Sequence, residues 1–198
     1  MFALALAPLG YLVLGGSGAL GLTLGADPVR LVTDTLGLWA LRLLLATLAI
    51  SPLAFVTHAP DWLRLRRMLG LFAFAYALLH FTMYIAVDQT FDFGVLGEDI
   101  VKRPWITLGA TALACLIPLA ATSTRAAMRR LGRRWQQLHY LVYPAALAAC
   151  WHYYWQVKRD VRAPLAYAAV FAVLMGMRLL RRRLRGRAAA ALLAQPDG

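Results

Sequence analysis

Six apolar segments, each close to the length that crosses a lipid bilayer, constrain this chain more than any other feature. They lie at about residues 3–24, 36–56, 68–87, 105–122, 137–156 and 164–180. Roughly 20 apolar residues in a helix span the hydrocarbon core, and in lipid the backbone polar groups must pair within the segment. The sequence therefore predicts an all-α polytopic membrane protein. We expect a six-span transmembrane helix bundle that forms one domain over residues 1–198.

The distribution of charge predicts how this bundle is oriented. The formal net charge is +12, and arginines concentrate in the connectors after the second and fourth segments and in a basic tail at 181–198. The positive-inside rule therefore predicts that both termini are cytoplasmic. Charge in these positions faces anionic lipid head groups, so it does not indicate nucleic-acid binding. The N-terminal apolar run has no basic region before it, so we interpret it as the first span and not as a cleaved signal.

Histidines inside the apolar segments are the strongest functional signal, because an ionisable side chain in a membrane is costly and usually functional. His80 lies about 18 Å along the third segment, and His152 lies about 19.5 Å beyond His139 along the fifth. Both segments run in the same direction. His80 and His152 are therefore predicted to lie at similar depth in the outer half of the membrane. Two imidazoles on facing helices can bind one haem iron from both sides.

His139, at the cytoplasmic start of the fifth segment, is a candidate ligand for an inner haem or inner redox site. On an ideal helix it points about 140° away from His152, so the two share a face only if Pro144 bends or unwinds the segment. His58 is the one remaining histidine that could partner it, although a loop role is the simpler interpretation. Simpler alternatives also stay open for His80, as a hydrogen-bonded packing residue, and for His139, as a solvated interfacial residue.

Five arginines are candidate contacts for haem propionates. Arg42 lies within the second segment on the outer side, whereas Arg66, Arg67, Arg133 and Arg134 lie on the inner side. Each has a simpler explanation, since Arg42 can extend towards the membrane surface and the other four are ordinary positive-inside charges.

Other classes of protein are less favoured by the sequence. It contains no GxSxG, HExxH, P-loop or Rossmann glycine pattern, and Cys115 and Cys150 form no CxxC pair. No internal repeat is evident, which disfavours a proton-coupled transporter using His80 and His152. A non-catalytic scaffold leaves these two histidines unexplained. A ferric reductase with another acceptor stays open.

Several motifs resemble those of the MsrQ (YedZ) family, the haem-binding membrane subunits of the bacterial periplasmic methionine-sulfoxide reductase system. This family belongs to the ferric-reductase-like transmembrane group. The matching stretches are residues 24–29 (LGADPV), 66–71 (RRMLGL), 79–80 (LH), 103–109 (RPWITLG), 122–124 (TST), 131–139 (LGRRWQQLH), 152–153 (HY) and 157–158 (VK).

The resemblance implies that His80, His139 and His152 are haem ligands, whereas His58 matches no ligand position of the family. It implies b-type haem, one or two per chain, and FMN; the FMN and quinone sites cannot be assigned to residues. Electrons are expected to pass from the quinone pool or a cytoplasmic flavin reductase across the bacterial inner membrane. The expected acceptor is a periplasmic molybdopterin subunit that reduces methionine sulfoxide, so repair of oxidised proteins occurs on the partner and no residue here is catalytic. The outer 88–104 loop is expected to dock that partner.

Overall fold

The computed structural model describes residues 2–17, 26–59, 61–157 and 159–193, and within them the secondary structure is helical without a β-strand. In chain order the α-helices are α1 (Phe2–Gly16), α2 (Pro28–Val56), α3 (Trp62–Met83), α4 (Phe93–Lys102), α5 (Pro104–Ala121), α6 (Arg125–Leu131), α7 (Arg133–Leu138), α8 (Val142–Gln156) and α9 (Arg162–Leu193). A π-helical turn, Tyr84–Asp88, continues α3, and a 3-10 turn, His139–Leu141, joins α7 to α8. The all-α prediction is confirmed for this part of the chain.

Among the residues that the structure describes, four helices are long and apolar enough to cross a membrane: Pro28–Val56, Arg64–Val87, Pro104–Ala121 and Arg162–Leu184. They correspond to the second, third, fourth and sixth predicted segments. The first predicted segment contains a shorter apolar helix, Ala5–Gly16, and its residues 18–24 lie outside the described residues, as do motif residues 24, 25 and 158. The fifth is divided between α7, the 3-10 turn and the 15-residue helix α8. Six spans therefore stay a prediction.

Several helix boundaries differ from the predicted ones, for local reasons. Helix α2 begins at Pro28 and not near residue 36, because the Asp27 carboxylate accepts a hydrogen bond from the Arg30 backbone N–H at 3.1 Å and proline suits the first helical position. The predicted outer loop contains α4, capped by Asp92, whose carboxylate accepts from two backbone N–H groups. The tail predicted at 181–198 is helical as far as Leu193.

A buried carboxylate fastens the C-terminal end of α3 to the start of α5. Asp99 is only 6% exposed and accepts hydrogen bonds from the Tyr84 hydroxyl and the Gln89 amide, both at 2.8 Å. It also forms an ion pair with Arg103 at 3.0 Å, immediately before α5. The Asp99 carboxylate of α4 is thus bonded both to the π-helical turn and to Arg103. Because Arg103 immediately precedes α5, these contacts fix the position of the first turn of α5.

Small residues let the helices of the bundle approach each other closely. Ala73 on α3 and Ala145 and Ala146 on α8 are completely buried, as expected for interfaces between membrane helices. The Tyr76 hydroxyl donates to the Ala5 carbonyl at 2.7 Å and so links α3 to α1. Helix α2 packs mainly on α3, and α5 packs mainly on α8. These two helix pairs carry the candidate site.

Candidate metal centre

The rings of His80, on α3, and His152, on α8, lie next to each other. Their centroids are 6.2 Å apart and their planes are inclined by 73°. Counting residues along the two segments predicts similar depth, and the structure brings the two side chains together as expected. Packing alone can produce such an edge-to-face pair, so the hydrogen bonds of each ring decide how it can be used.

Both rings are held by a backbone carbonyl through the same nitrogen. The Nδ1–H of His80 donates to the Thr33 carbonyl at 2.8 Å, and the Nδ1–H of His152 donates to the Trp105 carbonyl at 2.7 Å. A carbonyl oxygen only accepts, so the hydrogen must be on Nδ1 and the lone pair of the neutral ring on Nε2. Histidines that bind a metal characteristically donate their second N–H to such a group, which fixes tautomer and orientation.

Each ring also lies against a glycine of the neighbouring helix. A Cβ placed on Gly37 of α2 would stand 3.0 Å from Nδ1 and Cε1 of His80, and a Cβ on Gly109 of α5 would stand 3.1 Å from the same atoms of His152. Contacts this short force the ring to move. Glycine at these two positions therefore leaves each ring the space in which it reaches its carbonyl partner.

The two halves of the site repeat one arrangement. The histidine lies 47 residues after its carbonyl partner in both cases, and the glycine lies four residues after that partner, at Gly37 and Gly109. The helix pair α2–α3 is thus matched by the pair α5–α8. Although no internal repeat is evident in the sequence, this site does contain one. The repeat is hidden because its carbonyls come from unlike residues, a threonine and a tryptophan.

The geometry of the pair fits a metal held between two imidazoles. Metal–nitrogen bonds of about 2 Å on opposite sides of one ion put the ring centres about 6 Å apart, close to the observed separation. Within the described residues no three side chains of His, Cys, Asp or Glu form a cluster that could hold a metal ion. The pair therefore suits a group that brings its other metal ligands with it, as a porphyrin does.

His139 occupies a different environment at the other end of α8. Its ring stacks on Trp135 at 3.9 Å between centroids, and its Nε2 lies 3.2 Å from the Thr122 hydroxyl. That hydroxyl donates to the Pro118 carbonyl at 2.6 Å, so it accepts from an Nε2–H of His139. Here Nε2 is engaged, whereas in His80 and His152 it is Nδ1. His139 is therefore not oriented as the other two are.

The 3-10 turn that contains His139 lies just before Pro144, the residue at which the sequence allows the fifth segment to bend or unwind. Proline has no N–H to donate to the residue four positions earlier, here Tyr140, and its ring crowds that carbonyl. Helix geometry is interrupted at 139–141 as a result. His58 does not meet His139 in the contacts described: its ring stacks on Phe55, at the end of α2.

The candidate propionate arginines divide between two depths. The Nε–H of Arg42 donates to the Tyr167 hydroxyl at 2.8 Å, and the guanidinium lies 5.0 Å from the Trp39 ring centre. Arg42 is five residues beyond Gly37, about 7.5 Å along α2, so it is near the histidine pair. Arg66 is about 21 Å along α3 from His80 and within electrostatic range of His139. Arg67, Arg133 and Arg134 adjoin Arg66 or precede His139 in the chain and are exposed, so these three and Arg66 lie away from the His80–His152 pair.

Sequence reasoning missed four residues of the site: Thr33, Gly37, Trp105 and Gly109. The first and third act through backbone carbonyls, which side-chain patterns do not reveal. For the half of the site formed by α5 and α8 a signal did exist, because Trp105 and Gly109 lie within the motif at 103–109. A glycine in an apolar helix also often marks a close approach between helices.

Comparison with known proteins identifies the class that this site belongs to. The family described as "Ferric reductase like transmembrane component" matches residues 36–150, which include Gly37, His80 and Gly109 and end two residues before His152. The chain belongs to this family, and with its four apolar spanning helices it is a multi-pass membrane protein.

Two relatives of similar sequence narrow the class further. A protein of Xanthomonas campestris pv. campestris (strain 8004) is 50% identical over 173 residues, which is 87% of this chain and 79% of the relative. One of Rhodospirillum rubrum is 49% identical over 181 residues, 89% of this chain and 87% of the relative. Both are named "Protein-methionine-sulfoxide reductase heme-binding subunit MsrQ". The chain is a member of the MsrQ family, as its motifs indicate.

Proposed function

We propose that this chain binds b-type haem between His80 and His152 and is the electron-transfer subunit of a methionine-sulfoxide reductase system. The observation that carries the proposal is the pair of Nδ1–H···O=C bonds, which leave the Nε2 lone pair of each ring available as a ligand, on two rings whose centroids are 6.2 Å apart. The names of the relatives support haem as the bound group. When bound, the haem supplies a one-electron redox centre.

The residues around the pair have separate roles. The carbonyls of Thr33 and Trp105 fix the two rings and raise their basicity as ligands. Gly37 and Gly109 leave room for the rings. A haem held by both His80 and His152 would be suited to electron transfer and not to binding a substrate at the metal. Arg42 is the candidate counter-charge for an outer propionate.

The same geometry disfavours a proton-coupled transporter. A histidine that passes a proton from one side of its ring to the other uses both ring nitrogens, whereas the Nδ1–H groups of His80 and His152 are held by carbonyls that cannot donate. A ferric reductase with another acceptor uses the same haem, so only measurements with the acceptor separate it from the main proposal.

For the whole chain we propose a single six-span domain with both termini in the cytoplasm, located in the bacterial inner membrane. Electrons enter from the quinone pool or a cytoplasmic flavin reductase and leave to a periplasmic molybdopterin subunit, where methionine sulfoxide is reduced. FMN is a second proposed cofactor. His139, with Arg66, Arg67, Arg133 and Arg134 at the same level, serves an inner haem or redox site.

A reduced-minus-oxidised optical spectrum of the purified protein, with a pyridine-haemochrome count per chain, tests the proposal. A sharp b-type spectrum is expected. One haem per chain assigns it to His80 and His152, and two make His139 an iron ligand. A colourless protein after haem-supplemented expression contradicts the proposal. Turnover of methionine sulfoxide with the relative's catalytic subunit, compared with Fe³⁺ reduction, then separates the two acceptors.

A further inference from the structure

A cavity of about 600 Å³ lies at the end of the bundle opposite the histidine pair, between the C-terminal part of α2, the start of α8 and the distal part of α9. Its walls combine three arginines of α9 with aromatic rings of α2, of the 3-10 turn before α8 and of α8 itself. These residues are Arg178, Arg181, Arg182, Phe55, Tyr140 and Tyr143. The functional proposal above makes no use of this cavity.

The three cavity arginines have no carboxylate to balance them among the ion pairs of the described residues. Those ion pairs belong instead to Arg30, Arg64, Lys102 and Arg103. Arg66 of α3 adds a further positive charge within electrostatic range of Arg178. Like charges gathered at one site repel each other, and this repulsion is relieved when an anion binds among them.

Aromatic rings and one carbonyl hold the guanidinium groups in place. Arg178 lies 4.9 Å from the Tyr143 ring centre, and Arg182 lies 5.8 Å from that of Tyr140. Arg181 lies 3.8 Å from the Phe55 ring centre. Its Nη1–H also donates to the Ser51 carbonyl at 3.1 Å. A guanidinium that rests on a ring keeps its edge donors for another acceptor, and the planar edge suits phosphate oxygens.

The position of the cavity along α9 indicates where the anion comes from. The part of α9 that is long and apolar enough to span a membrane is Arg162–Leu184, and Arg178 lies about 24 Å from its start. With a hydrocarbon core of about 30 Å, the arginines lie close to the level of the lipid head groups. Basic pockets between membrane helices at this level bind anionic head groups.

We propose that this cavity binds the phosphate of an anionic phospholipid, with the guanidinium groups of Arg178, Arg181 and Arg182 on the phosphate oxygens and the acyl chains in the bilayer. The aromatic walls contact the glycerol backbone and the first methylene groups. One lipid then bridges α2, α8 and α9. The inference goes beyond the proposed electron-transfer function and does not depend on which group His80 and His152 bind.

Native mass spectrometry of the purified holoprotein with short-chain phosphatidylglycerol and phosphatidylcholine tests this site. Preferential binding of phosphatidylglycerol is expected for the unchanged protein. In Arg178→Gln/Arg182→Gln that preference should fall about fivefold per arginine removed, since one arginine near anionic lipid contributes about 1 kcal/mol. Arg183→Gln is the matched control, because it removes an exposed arginine of the same helix that does not line the cavity.

Three results overturn the lipid site: equal binding of the two lipids, an equal loss in Arg183→Gln, or displacement of phosphatidylglycerol by FMN at similar concentration. The last assigns the cavity to a soluble phosphate ligand. If the double variant does not fold, Arg182→Gln alone is used, because that side chain is exposed and a single exposed change is tolerated. Haem content, recorded in parallel, separates failure of this site from failure of the electron-transfer proposal.

Discussion

The ring of His152 lies so close to Gly109 that a Cβ on this glycine would stand 3.1 Å from the Nδ1 and Cε1 atoms of the histidine. The same relationship joins His80 to Gly37 at 3.0 Å. In both cases the bare helix backbone lets the imidazole reach the carbonyl one turn earlier. The orientation of each Nε2 is therefore determined on the helix that faces the histidine and not on its own.

We expect Gly109→Ala to weaken haem retention because the added methyl group pushes His152 away from the Trp105 carbonyl. Overpacking of this kind costs about 1–3 kcal/mol, enough to lower haem occupancy or broaden the spectrum of the purified protein. The measurement is the haem-to-protein ratio after detergent washing. Gly176→Ala on α9 is the control, since a Cβ there meets nothing within 4 Å. Equal haem content in the two variants contradicts the close-approach argument.

We expect His80→Ala and His152→Ala each to lose the haem, because an iron that has lost one axial imidazole is held only by the other. The check is a pyridine-haemochrome assay on protein of matched purity and matched monodispersity. His58→Ala is the control, because its ring stacks on Phe55 away from the pair. Wild-type haem content in either variant contradicts haem binding by the pair His80 and His152. A loss of haem in His58→Ala indicates a general effect on folding.

Much of the fold could be predicted from the sequence, because the positions of membrane helices depend on the average composition of long segments. Apolar length located the four spanning helices, and counting residues from charged ends put His80 and His152 at matched depth. The fifth segment was harder to predict. Pro144 interrupts its helix, and the average composition of the segment does not reveal that interruption. Helix starts were also misplaced where a cap such as Asp27 extends a helix into polar sequence.

The residues that hold the two histidine rings in place could not be predicted from the sequence, for a physical reason. Thr33 and Trp105 contribute carbonyl oxygens, which every residue has, so their side chains carry no trace of the role. Gly37 and Gly109 contribute the absence of a side chain, a signal shared with many membrane glycines. Only the assembled helix pairs reveal that these four residues follow one repeated spacing.

We expect His139→Ala to leave the outer haem in place and to alter only an inner centre, because its ring is held by Trp135 and the Thr122 hydroxyl, distant from the pair. A redox titration followed at the haem absorption band separates the two centres by their potentials. Thr122→Val, which removes the acceptor for His139 while keeping the shape of the side chain, should shift the same component. If His139→Ala removes all haem, the assignment of the outer iron to His80 and His152 is wrong.

We expect Asp99→Asn to destabilise the protein by about 2 kcal/mol, since hydrogen bonds to a buried charge are stronger than neutral ones. The Asp99 side chain is 9% exposed in its ion pair with Arg103, and it holds the start of α5, where the Trp105 carbonyl receives His152. Thermal unfolding in detergent should therefore show a lower midpoint together with a broadened haem band. Glu98→Gln is the matched control, because its 67% exposed side chain pairs with Lys102 at the surface and such pairs contribute about 0–1 kcal/mol. Equal midpoints for the two variants would show that the carboxylate does not fix this turn, and α5 would then be positioned by its packing on α8 alone.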